Sequence, residues 1–347
     1  MLTIMMWSDF LGHLKQKQWF QQAVGHHRLA STFLMVGPDG CGKRTFSKLL
    51  AKALLCPNRS SQTIEPCERC ESCVQVDADS HPDLLQVSKP PEASSLSIEL
   101  LVGSRENRLR EGLCYQLHMK PFHGQRRIAI IDDADTIMVE AANSMLKTLE
   151  EPPSGALIFL IGTNEQRQLS TIRSRSQIVR FQGLEAESVA TLLLRQGLTD
   201  NEEIAITTAR LADGSLSRAK AFLDDDFRTF RTELHSKLAE RPMDIVGLSK
   251  AVLANVQSVG EDGAPRRARL KSIFSIAIEF YRSALFDGVG LNRATTEPKK
   301  IKGQLPLSVT NRAIEHCVAA QSDVDRNVTP AALLESWSTE LAEICRA

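Results

Sequence analysis

TFLMVGPDGCGKRTFSKLLAKALL, residues 32–55, runs from an apolar stretch through a glycine-rich loop into a helical pattern. A strand, a Gly turn and a helix in that order make the cradle in which backbone N–H groups hold phosphates. Gly37, Gly42 and Lys43 keep the spacing G-x-x-x-x-G-K, with Gly40 inside the loop. The residue after the lysine is ordinarily Ser or Thr, whose hydroxyl holds Mg²⁺. Here it is Arg44, and the hydroxyl comes one place late, at Thr45. Two readings stay open: a nucleotide site with an odd ligand, or a motor-like site that no longer fires.

Working outward, the first half alternates short apolar runs with helical patterns, which predicts parallel strands with crossover helices. Candidate strands are 32–36, 83–87, 127–132, 156–162 and 177–181. The runs RIAIID and ALIFLIG are continuous, as strands covered on both faces should be. After Phe181 the strand signals stop. ESVATLLLRQ, EEIAITTARLA and SRAKAFL read as helices, and ERPMDIV, residues 240–246, marks a boundary at its proline. Beyond it Leu270, Ile273, Phe274, Ala277, Tyr281 and Leu285 fall on one helical face, as do Leu334, Trp337, Leu341 and Ile344. The segment 286–308 reads as a long polar loop. The fold class is therefore α/β followed by α, with a parallel five-stranded sheet first.

A length of 347 residues exceeds one ordinary core. The 42 basic and 42 acidic side chains cancel, which argues against a stand-alone electrostatic DNA binder. No apolar run is long enough for a membrane span, and the N-terminus lacks the form of a signal peptide, so the expected location is cytoplasmic.

The second half of a phosphate site is an apolar strand ending in acids, and RIAIIDDAD (127–135) supplies one. Asp132 stands where a Mg²⁺-coordinating acid belongs. Asp133 follows where this ATPase class carries Glu to orient water, and it is shorter by one methylene. Displacements of about 1 Å can cost on the order of a hundredfold in rate. At the exit of the fourth strand, Thr163 and Asn164 offer short polar groups to a γ-phosphate. Arg175, in STIRSRSQIVRF, is either an ordinary surface arginine or a finger inserted into a neighbour's ATP site.

CPNRSSQTIEPCERCESC, residues 56–73, places Cys56, Cys67, Cys70 and Cys73 at C-x10-C-x2-C-x2-C spacing. Four thiolates complete a closed tetrahedral Zn²⁺ shell with no open position, so the site would be structural. Cys41, Cys114, Cys317 and Cys345 are scattered and read as small buried hydrophobes.

Together FLGH (10–13), GPDGCGK, the cysteine module, SHPD (80–83), the acid-ended strand, NSMLKTLEEPP and SRS resemble bacterial clamp-loader subunits of the AAA+ class. The likeness covers about the first 181 residues. SHPD, Arg44 and Asp133 resemble the delta-prime branch rather than the gamma/tau ATPases, and the chain ends without a long tau-like tail. GSLSRAK puts Ser217 where gamma has a sensor arginine, with Arg218 one later. In the family's Ser-Arg-Cys motif, Arg175 matches the arginine and Ser176 replaces the cysteine.

The resemblance implies an AAA+ domain over 1–182 with the zinc module at 56–73, a helical lid over 183–240 and a helical collar over 241–347. It implies a stator in a pentameric ring with gamma/tau and delta subunits, acting with them on the sliding clamp and primed DNA. Such a stator offers Arg175 in trans and has little ATPase of its own. Gly37, Gly40, Gly42, Lys43, Thr45, Asp132, Asp133 and Asn164 would then line a degenerate ATP site in which Mg²⁺–ATP binding is in doubt. The alternatives are an active gamma/tau-type ATPase and a zinc-bearing nucleic-acid module; an aromatic content of only 5% counts against the latter.

Overall fold

The computed structural model describes residues 6–60, 62–90, 93, 95–108, 110–124, 126–260, 263–288, 305–324 and 329–346. Five strands, β1 (Thr32–Val36), β2 (Leu84–Val87), β3 (Arg127–Ile131), β4 (Ala156–Gly162) and β5 (Gln177–Arg180), form one sheet in the order β2-β3-β4-β1-β5. Every neighbouring pair is parallel. Each expected strand is present to within one residue at either end.

Parallel strands need crossovers that cover both faces, and the sequence meets that demand. β1, β3 and β4 are buried at every position. Side chains alternate between faces. Phe33, Met35, Ile128, Ile130, Phe159 and Ile161 enter one core with Phe20, Phe46 and Leu50. Leu34, Val36, Ala129, Ile131, Ile158 and Leu160 enter the other with Leu101, Leu113 and Met145.

The covering helices are α1 (Leu14–Gly25), α2 (Lys43–Leu55), α3 (Glu71–Asp77), α4 (Ile98–Val102), α5 (Gly112–His118), α6 (Val139–Glu150) and α7 (Ser170–Arg173). α2 begins directly at Lys43, three residues before the helical pattern becomes legible in sequence. α6 stops before Pro152, whose ring disfavours a helical conformation at Glu151.

The remainder is helical: α8 (Ala186–Arg195), α9 (Glu202–Leu211), α10 (Leu216–Phe222), α11 (Asp225–Ala239), α12 (Ile245–Gln257), α13 (Gly263–Gly288), α14 (Leu307–Asp323) and α15 (Pro330–Arg346). The chain forms two compact units, residues 1–189 with 213–217, and residues 190–212 with 218–347. In the second unit α13 packs on α14, and α15 on α12 and α14. Leu270, Ile273, Phe274, Ala277, Tyr281, Leu334, Trp337 and Leu341 are buried as the periodicity predicts. The polar loop expected at 286–308 is shorter at both ends, because α13 continues to Gly288 and α14 begins at Leu307. Residues 289–304 of that expectation lie outside the described residues.

Candidate functional site

The carboxyl ends of β3, β4 and β1 lie side by side, which is where parallel α/β sheets carry ligands. The register sets Val36 against Gly162 and Ile131 against Leu160. The loop after β1, the Thr163 turn after β4 and Asp132 after β3 therefore share one edge.

Backbone sterics explain the loop's glycines. A Cβ at Gly37 would lie 2.4 Å from the Phe181 carbonyl oxygen. Gly40 has φ +70°, and a Cβ there would meet the hydroxyls of Ser215 and Ser217. The segment 213–217 seals this side, the Leu216 N–H donating to the Gly40 carbonyl at 3.0 Å. Lys43, 6% exposed, donates through Nζ to the Gly37 and Pro38 carbonyls at 2.8 and 2.7 Å. Next to the loop, the His13 ring is 2.8 Å from the Cys41 carbonyl. Trp7 and Phe10 pack edge-on against Phe46, and Trp7 is 3% exposed.

Asp132, Asp133 and Asn164 are all engaged within the chain. Arg44 Nη1 lies 3.6 Å from Asp132 Oδ2. Asp132 accepts the Asp133 N–H at 3.0 Å. Burial pushes the Asp132 carboxyl above its ordinary pKa, against the pull of that N–H and of the Arg44 and Lys43 charges. Asp133 is held at φ +55°, and its Oδ2 accepts from the Lys89 N–H at 3.3 Å, at the exit of β2. Asn164 accepts from the Gln166 N–H at 2.8 Å and so caps a short turn. Thr45 is half-buried in the first turn of α2. Sequence reasoning missed Asp135, which accepts from both the N–H and hydroxyl of Thr163 at 2.6 Å and from the Gln168 amide. Asp135 was visible only as the last acid of RIAIIDDAD.

Arg175 sits between α7 and β5. It pairs with Glu150 through Nε at 2.7 Å and through Nη2, and donates to the Thr171 carbonyl at 3.1 Å. Its side chain is 30% exposed and that of Glu150 48%.

The four clustered cysteines converge. Cys56 closes α2, Cys70 precedes α3 and Cys73 lies within it. All four sulfurs lie within 4.8 Å of one another, with Cys56 Sγ and Cys70 Sγ 3.9 Å apart. A tetrahedron with metal–sulfur bonds of about 2.3 Å has edges of roughly 3.8 Å, so the set fits a metal ion. The Cys67 N–H points at Cys56 Sγ, 3.3 Å away, and the Asn58 amide at Cys67 Sγ, 3.7 Å away. The Arg69 backbone N–H, more than any other group, brings the Cys67 thiol down to about 6, while burial pushes Cys70 and Cys73 up. Cys41, Cys114, Cys317 and Cys345 are buried singly, as expected.

Lys52, 1% exposed, ties this module to α2 through Asp77 at 2.8 Å and through Glu68. Burial opposes its charge, yet the hydrogen bonds it donates to Asp77 and Glu68 together leave its pKa raised. SHPD is a second tie. His81 Nδ1 accepts the Asp83 N–H at 3.0 Å, which places the ring proton on Nε2, 2.8 Å from Ser72 Oγ. Ser72 donates its own hydrogen to the Leu55 carbonyl at 2.9 Å. The ring is thus a donor to Ser72 and cannot act as its base. Asp83, wholly buried, accepts from the Phe122 and His123 N–H groups, both at 2.7 Å, and pairs with Arg127 at 3.2 Å.

Comparison with known proteins gives the family. The family described as DNA polymerase III, delta subunit, matches residues 12–185. The delta-prime subunit of Bacillus subtilis DNA polymerase III is 32% identical over 209 residues, covering 57% of this chain and 59% of that protein. The gamma/tau subunit of Mycobacterium bovis is also 32% identical, over 58% of this chain and 34% of its own length. A solved structure described as a DNA polymerase III gamma subunit-related protein of Thermotoga maritima covers 96% of this chain and 99% of its own, at 16% identity and TM-score 0.43. The chain thus spans about three fifths of the first sequence relative and a third of the second. Because the family match takes in the whole sheet and half the chain, this protein belongs to the DNA polymerase III delta-subunit family of clamp-loader proteins.

Proposed function

We propose that the chain is a delta-prime-type stator of a bacterial clamp loader. It assembles with gamma/tau and delta subunits in a pentameric ring, in the cytoplasm, and helps them place the sliding clamp on primed DNA. Residues 1–182 serve as the AAA+ domain, 183–240 as the lid and 241–347 as the collar through which the ring is joined. Zn²⁺ is the metal of the cysteine module, where it is structural.

The observation that carries this reading is the disposition of charge along the sheet edge. The chain's own acids are committed elsewhere, Asp132 facing Arg44 and Asp133 the Lys89 N–H. Arg175 remains part-exposed at the β5 side, able to complete a neighbour's site. Arginine fingers are worth on the order of 10³ to 10⁵ in rate where they act. The equal identity to a gamma/tau subunit supports the second reading, an active ATPase of that type.

The test is reconstitution of the complex with Arg175→Ala. The ring forms, and turnover at the ATPase site facing this subunit falls by about 10³ or more. Unchanged turnover overturns the finger. Brisk DNA-stimulated hydrolysis by the isolated chain, lost in Lys43→Ala, favours the gamma/tau reading instead.

A further inference from the structure

A divalent metal does not fit the residues of the phosphate loop. Mg²⁺ requires near-octahedral oxygen ligands at about 2.0–2.1 Å, in such loops a hydroxyl directly after the lysine and the acid at the end of the neighbouring apolar strand. The hydroxyl position holds Arg44, whose Nη1 is 3.6 Å from Asp132 Oδ2. A cation bound at Asp132 and that guanidinium would compete for the same carboxylate at short range. Thr45 is rotated by about 100° around α2 from the ligand position, since successive helix residues turn by that angle. The second acid, Asp133, is already engaged by the Lys89 N–H.

We propose that Arg44 takes the place of the metal, so that the loop holds the diphosphate or triphosphate of a nucleotide with Lys43 and Arg44 as its only cations. Charge and geometry both support this. Lys43 and Arg44 stand beside Asp132 and Asp133, while Asp39 of the loop is exposed and Asp135 is held by Thr163, so the two cations are the groups that would meet an incoming polyphosphate. A guanidinium carries five N–H donors in a fixed fork, and one side turned to Asp132 leaves the other for bidentate contact with phosphate oxygens. Arg44 lies in the first turn of α2, where N–H groups and the helix dipole favour an anion, and its side chain is 56% exposed. Asp132, facing Arg44 across 3.6 Å, is the anchor that aims it. Asp79, a further acid near Arg44, is held by Lys48 at 2.8 Å and Gln86 at 2.6 Å. The chemistry ends at binding. With no metal, and with Asp133 one methylene shorter than the usual Glu and turned to the Lys89 N–H, the pocket retains its nucleotide uncleaved.

This inference rests on the loop being a phosphate cradle, but not on Arg175, so the two readings fail separately. The test is binding of a fluorescent ATP or ADP analogue to the full chain, by anisotropy, with excess magnesium and in buffer freed of magnesium by a chelating resin. The wild-type affinity is the same in both, within about twofold. Arg44→Thr restores the usual hydroxyl; it weakens magnesium-free binding by roughly ten- to a hundredfold, the worth of one charge-assisted contact, and recovers when magnesium is added. An unchanged melting curve shows that the variant is folded. Wild-type binding that requires magnesium, binding absent in both buffers, or an Arg44→Thr affinity equal to wild type without magnesium each overturns the proposal.

Discussion

Replacing Asp83 by alanine tests whether SHPD is a structural clamp or a chemical site. The carboxylate is wholly buried and receives three donors, the N–H groups of Phe122 and His123 and the Nε of Arg127. Arg127 is itself only 8% exposed, so Asp83→Ala leaves a buried guanidinium whose other contact is the Gln116 carbonyl. Breaking a buried pair from one side costs about 3–5 kcal/mol. The two orphaned N–H groups add less than their nominal 1–3 kcal/mol each, because Phe122 and His123 lie on an exposed turn and can reach water. For a unit of this size each kcal/mol lowers the melting point by about 2–4 °C, which gives a drop of roughly 6–20 °C. Circular dichroism melts give the shift, and amide exchange locates it. The Ile128 N–H bonds to the Asp83 carbonyl at 2.9 Å, so the start of β3 loses protection first. The double variant Asp83→Ala/Arg127→Leu recovers part of the loss, since it no longer strands a charge. A melting shift below about 2 °C, or additive losses in the double variant, would refute the clamp.

The metal module gives a second expectation: purified protein carries about one Zn²⁺ per chain by elemental analysis, and Cys73→Ser loses it and melts lower. Lys52→Met strands Asp77 and Glu68 against α2; destabilisation of about 3 kcal/mol and faster zinc loss to a chelator are expected, and unchanged zinc retention would show that the triad is not a tie. Burial, aided by the Arg231 charge, lowers His235 to about 4, below its unfolded value near 6.5. The unfolded chain then takes up the proton first, so this stability is complete above pH ~6.5 and is lost as the pH falls, by about 3 kcal/mol at pH 4. His81 is shifted the same way by burial. Urea melts at pH 7 and pH 5 should show a smaller decline for His235→Phe than for the native chain, and equal declines would count against a neutral buried imidazole.

The sheet was legible because its central strands β1, β3 and β4 are buried on both faces and so read as continuous apolar runs, while the edge strands β2 and β5 are short apolar stretches broken by Gln86, Gln177 and Arg180. Helices in the first unit were harder. α1 buries only Phe20 and Val24 of twelve residues, too thin a stripe to announce itself. α4 and α5 are short segments whose apolar residues matter only once they pack on each other and on α6 and β3. Local spacing likewise gave the cysteines, Lys43 and the loop glycines. What it could not give was partnership at long range. Arg44 and Asp132 are 88 positions apart and meet because β4 alone separates their strands in the sheet order. The same holds for Asp135 with Thr163, and for Asp83 of SHPD with Arg127, a brace that the spacing of the motif does not announce.

The pairing of Arg175 with Glu150 bears on how a finger could work at all. A guanidinium kept for a neighbouring subunit must be ordered before the ring forms, or the ordering of a long side chain is charged against assembly. Glu150, in the turn that ends α6, supplies that order, with Thr171 and Ser174 as further acceptors. Both partners are partly exposed, and such pairs are worth only about 0–1 kcal/mol. Exchanging Glu150 for a phosphate oxygen of greater charge is therefore cheap. Had Arg175 been buried like Arg127, the exchange would have cost several kcal/mol and the residue would have been fixed in its own chain. The two arginines differ in exposure more than in having a carboxylate partner, and on the proposed reading that difference is what lets Arg175 exchange its partner while Arg127 stays fixed.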